Sequence, residues 1–184
     1  MRKKVLGVLA LTGAIVSLYV GFLYLTHNFH VVIPGMAYRS AQPSAENIAS
    51  WHKTFGIRTI INLRGAHPNE GWYRIERAAA REFGIDLVDY PISAKRDLNA
   101  VQAEELLTLL ANAKPPILIH CLDGADRSGL VSAFYIAGVA HGSEYYAEFQ
   151  LTPYFLHLPL WFVPYYAMDR SFESAEPRLG FPDS

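Results

Sequence analysis

At 184 residues, 51% hydrophobic and 18% charged, the chain is long enough for one globular domain with a packed core and too short for two comfortable ones. Its single cysteine excludes an intrachain disulfide and a four-thiol zinc site, so no internal partner can trap that thiol. With Arg2, Lys3 and Lys4 set aside, 13 Lys and Arg face 17 Asp and Glu, an acidic balance that argues against nucleic acid as a partner.

The first element is the run at residues 5–26, 22 positions without a formal charge. As a helix it measures about 33 Å, enough to cross a hydrocarbon core of about 30 Å. A cleaved secretory signal has an apolar core of only about 7–15 residues that ends in small side chains. This run is longer and ends in bulky ones, so residues 1–26 are expected to form a cytoplasmic stub and a retained signal anchor, with cleavage as the alternative. Three cations precede the span and no Lys or Arg follows until Arg39, which holds the N-terminus in the cytoplasm and places the following domain outside, in the periplasm of a Gram-negative cell. Residues 27–37 read as a short linker and 38–184 as the domain.

From about residue 30, short apolar runs alternate with helical stretches, the pattern of an α/β domain whose largely parallel sheet is flanked by helices. "VVIPG" and "AYRS" read as short edge strands. Ser44 caps a helix over "AENIASWHKTFG", stopped by Gly56. "IRTIINLRG" is a buried strand that delivers Asn62 and Arg64 at its C-terminal end; a helix over "EGWYRIERAAAREFG" and a strand at "IDLVDYPI" follow. The loop "SAKRDLN" leads to a helix ending near Ala113, with Ala103, Leu106, Leu107 and Leu110 on one face. "PPILIHC" is the most apolar strand and is expected at the centre of the sheet. "RSGLVSAFYIAGVAHG" continues as a helix to Gly142. The tail from 145 to 173 is aromatic and interrupted by Pro153, Pro159 and Pro164; it is expected to pack over the sheet, with contact to a bilayer as the alternative.

The chemistry concentrates between the central strand and the next helix, in "HCLDGADRSG" from His120 to Gly129. A strand, a tight loop and a helix N-terminus form an anion site, because loop amides point inward and the helix dipole adds positive potential. A free cysteine titrates near about 8.5, but one at such a helix end beside a cation can fall to roughly 3.5–7.5 and so present a thiolate at neutral pH. Arg127, with the loop curled back, can offer its fork to the same anion. A core thiol needs neither the glycine turn nor the arginine at these offsets.

These residues resemble the cysteine-dependent protein tyrosine and dual-specificity phosphatases, whose signature is His-Cys, five residues, Arg, Ser or Thr, and Gly. His120, Cys121, Arg127, Ser128 and Gly129 fill it position for position, and the likeness runs over roughly residues 30–141. It implies a dual-specificity-phosphatase-like fold in which Cys121 attacks phosphorus and Arg127 holds the equatorial oxygens. Ser128 would help the thiolate leave, His120 would order the loop, and the amides of Leu122, Asp123, Gly124, Ala125, Asp126 and Arg127 would cradle the phosphate. No metal or other cofactor is called for. The general acid stays open. Asp97, 24 positions before the cysteine, stands on the loop where the family places an aspartate, though it could equally cap the next helix. "CLDGADRS" also resembles the loop of the myotubularin lipid phosphatases; Asp123 and Asp126 match its two aspartates, and the second of these is assigned there as the acid.

The expected substrate is a phosphorylated protein, phosphotyrosine first. The alternative is a phospholipid or phosphoinositide-like lipid at the membrane surface, although no Lys between Cys121 and Arg127 would meet a highly phosphorylated headgroup. Arg64, Lys95 and Arg96 fall where α/β sites form and could steer an anion, solvated charge being the simpler reading. His27 and His30 lack the further ligands a metal would need.

Overall fold

Which side chains can meet the signature loop is decided by the direction of the strands. In the computed structural model, which describes residues 1–181, five strands order as β1-β2-β5-β3-β4: β1 (His30–Ile33), β2 (Ala37–Ser40), β3 (Thr59–Asn62), β4 (Asp86–Asp89) and β5 (Ile117–His120). β1 is antiparallel to β2, and the other pairings are parallel, with Ser40 and Asn62 both in register with His120. The C-terminal ends of β2, β5, β3 and β4 therefore share one sheet edge, and the loops after them converge there.

Strand alternation builds two cores. Ile117, Ile119 and Ile61 face a layer of α4 (Ala100–Asn112), α5 (Asp126–Phe134) and α7 (Ala167–Leu179), where Leu106, Phe134 and Phe172 are buried. Leu118 and Ile60 face the opposite layer of α2 (Ala45–Phe55) and α3 (Gly71–Glu82), with Ile48, Trp51 and Ala79. β5 is buried along its whole length at the centre of the sheet. Ser44 and Asn47 form a capping box on α2, and Gly56 ends it in the left-handed region at φ 68°. Asn99, paired with Gln102, fills the cap of α4, so Asp97 is left outside that helix. After α5 the helix widens into a π-turn at Tyr135–Val139.

The segment "AYRS", expected at the edge, is an interior strand with all four residues buried. Its polar residues, Arg39 and Ser40, are buried with the rest. Arg39 finds its partners within the protein, because it reaches the carbonyls of the signature loop. Residues 27–37 carry β1 and a tight turn in which His27 and Asn28 adopt φ 54° and 46°.

α1 (Arg2–Leu25) is long and apolar enough to cross a membrane, and its most apolar stretch is not buried in the protein. Its last turns touch the domain: Leu23 is buried, and the Tyr19 hydroxyl donates to the Tyr154 carbonyl at 2.6 Å. The aromatic tail breaks into α6 (Glu144–Glu148), three 3-10 turns and α7. Leu151, Phe155 and Met168 pack inward, while Leu158, Leu160, Trp161 and Phe162 expose their apolar side chains.

Candidate active site

Cys121 follows β5 directly and is buried at the bottom of the signature loop. The four carbonyls after it all have partners on the outer side of the loop. Leu122 O accepts from the Gln42 amide at 3.1 Å and Asp123 O from Asn28 Nδ2 at 3.0 Å. Gly124 O and Ala125 O accept from Arg39 Nη2 at 2.9 and 2.8 Å. In a trans peptide the N–H opposes the preceding C=O, so the amides of Asp123, Gly124, Ala125 and Asp126 turn inward together. Gly124 makes the curl possible: its φ is +69°, and a Cβ there would lie 2.5 Å from the Ala41 amide nitrogen.

Around this cradle, Ser128 Oγ lies 3.5 Å from Cys121 Sγ, and Arg127 Nη1 donates to the Leu63 carbonyl at 3.2 Å. His120 Nδ1 lies 3.4 Å from the Cys121 carbonyl. Its Nε2 lies 2.6 Å from Glu76 Oε1, both side chains fully buried, in a close polar contact that lacks hydrogen-bond alignment. Glu76 Oε2 also accepts from Gln42 Nε2, and Gln42 Oε1 accepts from Arg64 Nη1 at 2.6 Å, so a polar chain runs from behind the cysteine to the surface. Inward amides, a thiol, a hydroxyl and a guanidinium are arranged to hold a phosphoryl group over sulfur.

A family model described as DSP-PTPase phosphatase fused to NAD+ kinase matches residues 34–152, well over half of the chain. The chain belongs to this family. As a DSP-type cysteine-dependent phosphatase it shares its fold with P. aeruginosa TpbA, at a TM-score of 0.61 and 20% identity over 86% of this chain and 92% of TpbA. A TpbA variant in complex with pTyr gives 0.60 at 19% identity, covering 86% and 93%. The core catalytic domain of the PP-IP phosphatase SIW14 from S. cerevisiae gives 0.58 at 22%, covering 84% and 93%.

Within this DSP-type site the two acid candidates occupy different surroundings. Asp97 stands on the loop between β4 and α4, on the same sheet edge as Cys121, and lines a polar recess of about 230 Å³ with Arg96 and Gln102. Both its oxygens accept from Arg170, at 2.7 and 3.1 Å, and both partners are about half exposed. Asp126 begins α5, and its Oδ1 lies 2.7 Å from Nδ1 of the buried His157, whose Nε2 lies 2.9 Å from Asp169 Oδ2. Burial alone would lower the His157 pKa. The hydrogen bonds and charges of Asp126 and Asp169 outweigh it and raise the value to about 9, so both ring nitrogens carry protons at neutral pH.

Of the other cations, Arg64 stacks over Trp72 at 3.5 Å. Burial and then the neighbouring Arg127 lower its pKa, against the pull of Glu76, Cys121 and Asp123. Lys95 instead approaches the Tyr165 ring at 5.5 Å. His27 Nδ1 contacts the Gln42 carbonyl and His30 Nε2 contacts Asn28 Oδ1, so the two rings serve separate partners.

Sequence reasoning missed Arg39, Asn28, Gln42, Glu76 and the His157–Asp169 pair. His157 stands out in hindsight, as the one basic residue within "YFLHLPLWFV". Its clamp makes a pH prediction. A value raised from 6.5 to about 9 contributes stability that is complete below about 6.5 and lost as pH rises through about 9. Between pH 7 and 10 the wild type should lose on the order of 2–3 kcal/mol more than His157→Gln. Denaturant titrations of both proteins at the two pH values measure the difference, and parallel curves would contradict it.

Proposed function

We propose that the protein hydrolyses phosphate monoesters through a phosphocysteine at Cys121. The observation that carries this reading is the set of four loop carbonyls pinned outward around one thiol. The thiolate forms an S–P bond as the P–O bond of the ester breaks. Amides 122–127 and Arg127 hold the three phosphoryl oxygens while an acid protonates the departing alkoxide. Water then attacks phosphorus, the acid's conjugate base takes its proton, and the S–P bond breaks with Ser128 donating to the emerging thiolate. His120 fixes the loop through its contact with Glu76.

We assign the acid to Asp97. Its ion pair with Arg170 is exposed and opens at a cost of about 1 kcal/mol or less, so the carboxyl is not committed to that partner and would swing toward a leaving group from the loop after β4. Asp126 is committed as an acceptor to His157 and serves to hold the start of α5. Asp97→Asn should therefore lose about 10²-fold with alkyl phosphates and far less with a good phenolate leaving group. Asp126→Asn should lose activity evenly across the same series. The reverse pattern would transfer the role to Asp126. A burst of phenolate release from an aryl phosphate, with an acid-trapped phosphoryl group mapped to Cys121 by mass spectrometry, tests the intermediate itself.

The protein phosphotyrosine reading draws support from the pTyr complex of TpbA. The lipid reading draws support from the position of α1, which we take to cross the membrane with its N-terminus in the cytoplasm and the catalytic domain outside. The short connection from α1 to β1 then keeps the site beside the headgroups.

A further inference from the structure

The last turns of α1 are part of the walls of the catalytic domain. Tyr19, six residues before the end of α1, bonds to Tyr154, so contact continues about 9 Å down the helix axis from Leu25. With α1 in a bilayer, the turn at Pro153–Phe155 sits at the depth of Tyr19. The segment after it exposes Leu158, Leu160, Trp161 and Phe162, a composition suited to the membrane interface. The domain is thereby seated into the leaflet where α1 ends.

A groove of about 600 Å³ opens at that level. One wall is Val20, Leu23 and Leu25 of α1; the facing wall is Leu156 with Leu122 and Asp123, the two residues that follow the nucleophile. Gln42 also lines it, and the Gln42 side chain bonds to Arg64 at the catalytic cations. The groove thus runs from the acyl region to the outer side of the signature loop, where Asn28 also lines it and Gln42 links that side to Arg64. Asp123 also lines it, and a carboxylate beside a bound headgroup repels additional phosphates.

We propose that the substrate is a membrane lipid carrying one phosphate monoester close to its acyl chains, of the phosphatidic acid type. It would be taken from the leaflet in which α1 ends, with a chain lying in this groove. The inference rests on the phosphocysteine reading above. Arg64 and Arg127 receive the phosphate, and the apolar walls replace the lipid surroundings that the chain gives up.

The full chain reconstituted in phosphatidylcholine vesicles containing phosphatidic acid tests this against three soluble substrates: a short-chain phosphatidic acid, an aryl phosphate and a phosphotyrosine peptide. Val20→Trp fills the groove. Leu156→Asn removes an apolar wall while suiting the left-handed backbone there, φ +67°. Each variant should lower turnover of the vesicle lipid by about tenfold, the scale of one buried side chain, and leave aryl phosphate hydrolysis within about twofold. The aryl phosphate rate also reports that each variant has folded. Vesicle lipid turnover unchanged in both variants overturns the inference, as does a phosphotyrosine peptide that outcompetes the lipid in the wild type. An aryl phosphate left untouched by the wild type instead removes the phosphocysteine reading, and this inference with it.

Discussion

Cys121→Ser should abolish aryl phosphate turnover, lowering kcat by at least about 10⁵-fold. A serine hydroxyl fits the same space but is almost wholly protonated at neutral pH, and it would need a base to become a nucleophile. Among the described residues the only side chain bonded to Cys121 Sγ is Ser128, a hydroxyl that cannot act as that base. The cradle itself should survive, since its inward amides are set by Gln42, Asn28 and Arg39 and owe nothing to sulfur. Calorimetric binding of inorganic phosphate should therefore stay within about threefold of wild type while chemistry disappears, the separation expected when a group acts only in the transition state. A serine variant that keeps more than about a tenth of the wild-type rate would rule out the covalent route.

The contrast between what binds phosphate and what holds the binder also explains which parts were legible in the sequence. Cys121, Arg127 and Ser128 lie within eight residues, so one local turn brings them together and the spacing alone carries the chemistry. The parallel sheet with β5 at its centre was equally readable, because a strand buried on both faces reads as a near-continuous apolar run, as residues 115–119 do. The supports were not. Arg39 lies 85 positions before Gly124 and Asn28 lies 95 before Asp123, and periodicity says nothing about pairs at such separations. The same limit left Asp97 and Asp126 equal in the sequence. Only the partners, an exposed Arg170 for one and a buried His157 for the other, make them different carboxylates.

Arg39→Met is the second large expectation, about 10³-fold in kcat/KM, from a residue that need not touch the substrate. The Arg39 side chain is fully buried; burial lowers its pKa to about 9, partly offset by the charges of Cys121 and Asp126, so it remains a cation at neutral pH. One nitrogen serves the Gln150 carbonyl and side chain, the other the carbonyls of Gly124 and Ala125, and the guanidinium lies 4.2 Å from the centre of the Phe155 ring. Methionine fills most of the volume but removes the donors to three backbone carbonyls and the Gln150 side-chain oxygen; each oxygen left unpaired costs about 1–3 kcal/mol, against which the relief of burying a cation counts. The Ala125 carbonyl keeps the Gly129 amide at 3.0 Å, so the loop recovers solvation chiefly by rotating the Gly124 peptide with the Ala125 peptide following, and that rotation carries the amides of Ala125 and Asp126 away from the phosphate. One such donor is worth about 10²–10³ in rate, so partial loss of two gives the stated fall. Arg39→Lys should be intermediate, because a single ammonium cannot span Gln150 and the loop together. A purely structural role for Arg39 would lower the melting temperature and leave kcat/KM of the folded fraction intact. The positioning role requires phosphate affinity and kcat/KM to fall together at temperatures where the variant is fully folded.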